Sequence, residues 1–84
     1  MDLELAFKNI NQLDNKLCKL IEVMTEDEYN QFVESNDDLR TYDDLLTDYE
    51  DLESMPEDKR AFFTTAVFET LNTFVDQKIT ELNI

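Results

Sequence analysis

Histidine and glycine are absent from this 84-residue chain, and it has one cysteine and one proline. Without His, the side chain that usually serves as a general base near neutral pH is missing. Without Gly, primed hairpin turns, β-bulges and phosphate-cradling loops are hard to build. One cysteine, Cys18, excludes an internal disulfide, and the chain reads as intracellular. Zinc sites need Cys/His sets that the sequence lacks. An EF-hand calcium loop needs a Gly at its sharp turn, and Asp43-Asp44…Asp48 offers none. The expectation is no catalytic residue, no cofactor and no metal site.

Bases are also scarce: seven Lys and Arg stand against 21 Asp and Glu, a net charge of −14. Phosphate contacts need a Lys/Arg face, so direct binding of nucleic acid is not expected. The same balance repels anionic membrane surfaces. The longest mostly apolar run without a charge is residues 61–68, against about 20 residues for a membrane span. Asp2 and Glu4 stand where a secretory signal would carry positive charge. A cytoplasmic protein with basic protein partners is expected.

What is present points to helices. Hydrophobic residues make up 42% of the chain, too many for a disordered acidic tail. Residues 1–84 are read as one acidic helical domain. Leu3, Ala6, Ile10, Leu13, Leu17, Leu20 and Met24 follow a three-four spacing, the mark of an amphipathic helix. Phe7 and Ile21 should widen that seam, and Cys18 beside it should be a small buried hydrophobe. Thr25-Glu26-Asp27-Glu28 is a capping box opening a short helix that buries Tyr29, Phe32 and Val33. Ser35-Asn36-Asp37-Asp38 reads as a break and a new N-cap, with Ser35 taken as a cap, before a third helix whose apolar face is Leu39, Tyr42, Leu45, Leu46, Tyr49 and Leu52.

A second capping box, Ser54-Met55-Pro56-Glu57, should open a last helix over residues 55–82. In it Phe63, Phe74, Val67, Leu71, Leu82, Val75, Phe68 and Ile79 span about 160°, wider than the usual apolar stripe. Either this helix is central in the bundle or part of it meets another chain. Phe62 points off that arc and is either an exposed aromatic and interface anchor or, the favoured reading, in contact with the turn before Pro56. The expected fold is all-α, a compact bundle of three long helices plus one short helix.

The charge is not spread evenly. Residues 26–58 hold 14 acids and one base, Arg40, for a net −13. Residues 1–25 have four acids and three bases, and residues 59–84 three of each. A solvated surface helix usually interleaves Lys with Glu for i,i+4 pairs. Here residues 37–51 carry six Asp and only Glu50, although Asp is the poorer helix former. Short Asp side chains hold charge near the backbone and have fewer rotamers to freeze on binding. On a continuous helix Asp37, Asp44, Asp48 and Asp51 share one stripe, flanked by Asp43, Glu50 and Asp58. The candidate partner-binding residues are Asp37, Asp38, Asp43, Asp44, Asp48, Glu50, Asp51 and Glu53.

In charge, size and helicity the chain resembles the small acidic DNA-mimic inhibitors made by phages and mobile elements against host defence enzymes. The resemblance carries no motif and therefore no site residue. It implies a non-enzymatic inhibitor in the host cytoplasm, occupying a basic nucleic-acid-binding surface of a nuclease or regulator. The alternative is a helical adaptor or assembly protein, with a homodimer as one form, that binds through the apolar face of its last helix and keeps the acids as solvated surface.

Overall fold

A computed structural model describes residues 3–84, and every regular element in them is helical. The elements are α1 (Leu3–Val23), α2 (Glu26–Glu34), α3 (Asp37–Asp48), α4 (Glu57–Arg60), a 3-10 turn (Ala61–Thr64) and α5 (Ala66–Leu82). The bundle measures 35 × 21 × 19 Å, its length set by α1, which at about 1.5 Å per residue runs some 31 Å.

α1 forms as its spacing predicts. Ala6, Leu13, Leu17 and Leu20 are buried, and Leu3, Ile10 and Met24 pack partly against the core. α1 and α5 run parallel. Asn9 Nδ2 donates to the Phe63 carbonyl at 2.7 Å, and Lys16 Nζ reaches Asn72 Oδ1 at 3.2 Å and Asp76 Oδ1 at 3.0 Å. α3 runs the other way: the Tyr42 hydroxyl meets the Ile10 carbonyl at 3.3 Å, and Leu46, one turn on, shares a groove with Phe7 and Ile10. α2 closes the far end, where Phe32 stacks on Phe74 with ring centroids 5.0 Å apart.

Capping follows the sequence at two starts and departs from it at a third. Thr25 accepts from the Glu28 amide, and the Glu28 carboxylate accepts from the Thr25 amide. The Thr25 amide first, and its hydroxyl second, lower the pKa of the Glu28 carboxyl from its ordinary value. Asn36 Oδ1 caps α3 through the Asp38 and Leu39 amides. The predicted box at Ser54 does not form. Pro56 precedes α4 without a side-chain cap, and Ser54 bonds backward, its amide to Asp51 Oδ1 and its hydroxyl to the Asp51 carbonyl, both at 2.8 Å. Asx-type turns of this kind compete with helix.

Two predicted helices are shorter than expected. α3 ends at Asp48, with Tyr49 extended at φ −126°, ψ 133°. Its last residues, Thr47 and Asp48, are weak helix formers, and a carboxylate opposes the dipole at a C-terminus. Leu52 and Met55 still reach the core from the following loop. The predicted helix over 55–82 breaks at Thr65, also extended (φ −97°, ψ 168°). On a continuous helix Phe63 and Phe68 would point about 140° apart. The break lets both be buried, at 0% and 1% exposure, with ring centroids 5.9 Å apart. Thr64 and Thr65 hydroxyls take up the freed carbonyls of Ala61 and Phe62. Most of the broad apolar arc is thereby folded into one core, while Val67 and Leu82 stay exposed.

Three exposure expectations are corrected. Phe7 and Ile21 do not widen the buried seam: they are 47% and 54% exposed. Cys18 is exposed rather than buried, because α1 turns its flank beyond Leu17 to solvent. Of the two readings of Phe62 the exposed one is set aside: it is half-buried, its ring edge-on to Phe63 and Phe68 at 5.5 and 5.9 Å, and the exposed aromatic is Phe7. At the C-terminus, where a Gly would be usual, Asn83 takes the left-handed conformation (φ 58°, ψ 47°). Its amide and that of Ile84 then close on Thr80 and Ile79.

Candidate functional site

Every proposed partner-binding carboxylate except Asp38, which is half-buried, is exposed. α3 holds Asp37, Asp38, Asp43, Asp44 and Asp48. Over about 18 Å of helix that is one carboxylate per roughly 3.6 Å, against one phosphate per about 3.4 Å along a DNA strand. The tertiary structure divides the eight residues by environment. Asp37 and Asp38 sit in the first turn of α3, where acids suit the helix dipole. Asp37 also meets Arg40 at 3.7 Å, the one ion pair of the acidic block among the described residues. These two are explained by folding.

Asp43, Asp44 and Asp48 have no such explanation. Asp43 and Asp44 face a groove of about 350 Å³ with Glu34, Arg40 and Tyr29. Burial raises the Tyr29 hydroxyl above its ordinary pKa, and the nearby Asp43 carboxylate adds to the shift. Asp44 and Asp48 face a second groove, of about 470 Å³, that Asp58 and Lys59 close from α4 above Leu45 and Phe62. Lys59 Nζ lies 5.4 Å from the Tyr49 ring centroid.

The predicted stripe stops at Asp48. Asp51 leaves it because the helix has ended, and its carboxylate closes the turn to Ser54. Glu50 and Glu53 lie in the same loop, exposed. Glu50 and Asp51 instead border a third groove, lined by Phe7, Ile10, Leu46 and Tyr49. Sequence reasoning did not assign those apolar residues to a surface, since Ile10, Leu46 and Tyr49 fit helix stripes and nothing local marks the side left uncovered. The one available signal was Phe7, which lies off the three-four seam of α1.

Among the described residues, no group of three or more His, Cys, Asp or Glu side chains is arranged to hold a metal ion. No helix among them is long and apolar enough to cross a membrane. Comparison of the chain with protein-family models, with curated proteins and with solved structures finds no match.

Proposed function

We propose that this protein is a non-enzymatic acidic inhibitor that acts in the cytoplasm by occupying a basic, nucleic-acid-binding surface of a target protein. The observation that carries the reading is the solvent face of α3. Asp43, Asp44 and Asp48 are exposed there, and no Lys or Arg pairs with them among the described residues. Asp48 also opposes the dipole at the helix end. Such a face weakens folding and strengthens attraction to cations. Long-range attraction raises the encounter rate, and short carboxylates then pair with the Lys and Arg that would hold phosphates.

The adaptor reading has less surface to work with. Phe63, Phe68, Leu71 and Val75 fill the protein's own core, which leaves Val67 and Leu82 as the exposed part of that apolar arc.

The test immobilises the wild-type protein and an Asp44→Lys, Asp48→Lys variant, passes host-cell lysate over both, and elutes with duplex DNA and then with salt. A nucleic-acid-binding protein retained by the wild type, displaced by DNA and absent from the variant is the expected result. Retention that is equal on both columns, or that resists both eluents, refutes the proposal.

A further inference from the structure

The third groove has a chemistry that charge alone does not explain. α1 supplies Phe7 and Ile10, α3 supplies Leu46, and the loop after α3 supplies Tyr49, with Leu52 and Met55 beneath. Phe7 is 47% and Leu46 37% exposed, whereas Leu52 and Met55 are 2% and 3% exposed. The result is an apolar cleft with a packed floor and open walls. Its volume, about 230 Å³, is below the 300–1,000 Å³ or so of small-molecule pockets. It suits one or two side chains. Glu50 and Asp51 stand on its rim, and neither is in an ion pair among the described residues.

We infer that this groove takes a large apolar side chain, Leu- to Phe-sized, from a partner segment in which Lys or Arg lies beside that residue. The inference rests on the cationic partner proposed above and adds an apolar anchor to it. The charge of the rim selects the occupant. A second copy of this chain docked through the same groove would bring Glu50 and Asp51 against acids of its own kind. An anionic lipid surface would be repelled likewise. A cationic protein segment satisfies both the floor and the rim. The anchor also gives a reason for the exposure of Phe7 and Leu46 on so charged a surface, since buried apolar anchors carry most of the affinity where a polar rim supplies orientation.

The test uses the full chain, labelled with ¹⁵N, and two short synthetic peptides. One has a central Phe between paired lysines in a Ser/Ala background; the other has Ser in place of the Phe. The Phe peptide is expected to bind at least about tenfold more tightly, the return on burying one large apolar side chain. It should shift the amide signals of Phe7, Ile10, Leu46 and Tyr49. Leu46→Glu should weaken it by a similar factor even though the substitution adds an acid, and Phe7→Gln should do the same. Preserved amide dispersion checks that both variants fold. Equal binding of the two peptides, tighter binding by Leu46→Glu, or shifts confined to the α3 carboxylates would overturn the inference. So would self-association of the free chain through Phe7 and Leu46. Asp44→Lys with Asp48→Lys separates the two proposals. It should weaken both peptides and leave their ratio unchanged; a preserved ratio with no weakening leaves the groove standing and removes the charged stripe.

Discussion

Replacing Asp48 with Lys is expected to make the protein more stable and a poorer ligand for a basic surface. Asp48 is the last residue of α3, and the final turn of that helix holds no base. An acid at a helix C-terminus costs about 0.3–1 kcal/mol and a base gains as much, with exposed positions at the low end. Asp44 lies one turn earlier. A like-charged i,i+4 pair costs about 0.2–0.5 kcal/mol, and an acid followed four residues later by Lys gains a similar amount. Lys59 lines the same groove and repels the new side chain, which offsets part of the gain. The net stabilisation should be about 1 kcal/mol, or a rise in Tm of about 4–8 °C for a domain of this size. Thermal melts followed by circular dichroism, comparing wild type, Asp48→Asn and Asp48→Lys, measure it. Asn should give about half the effect, since it removes a charge without reversing it. At about 1 M salt, where the screening length falls to about 3 Å, most of the difference should vanish. A Lys variant no more stable than wild type at low salt refutes the reasoning, as does a gain that persists in high salt.

Two further outcomes follow from the capping box and the buried tyrosines. Thr25→Ala should cost about 1 kcal/mol. Because the folded state lowers the Glu28 pKa, the stability from that interaction is present above the unfolded-state value. It is lost as pH falls through the folded one. The Thr25 backbone amide is the larger cause and survives in Thr25→Ala, so Glu28→Gln is the variant that should flatten the acid limb in denaturant melts, and an unchanged limb there would contradict the assignment. At the other extreme, Tyr42 has its pKa raised by burial first and by the nearby Asp14 second. Its contribution is therefore complete below about pH 10 and declines as pH rises above it. Tyr42→Phe should remove part of the alkaline loss of stability, at a neutral-pH cost of about 0.5–1.5 kcal/mol for the bond to Ile10. An alkaline limb identical to the wild type would place the titration elsewhere.

The helical character, the starts at Thr25 and within residues 35–38, and the concentration of charge in residues 26–58 were legible in the sequence, because each is a local property; that Asn36 rather than Ser35 caps α3 was not. A three-four spacing defines a stripe within one segment, and a cap needs only the next three residues. The eight candidate carboxylates were legible as residues but not as a surface. A stripe through Asp51 assumed a helix that the Asp51–Ser54 turn interrupts, and that competition between two local hydrogen-bonding patterns was settled by burying Leu52 and Met55.

Tertiary packing alone decided the rest. Phe63 and Phe68 fit a continuous helix by periodicity, yet one core receives both only if the chain breaks at Thr65. Likewise Phe7, Cys18 and Ile21 belong to an apolar flank of α1 that the sequence cannot distinguish from its buried seam. Which side of a helix is covered depends on where its neighbours lie, and α5, the 3-10 turn and α2 pack on α1 and leave that flank open. The composition thus determined that the protein is helical and where its charge lies along the chain. The packing determined which apolar side chains stay at the surface beside that charge, because burial is a property of the whole bundle and not of any one segment.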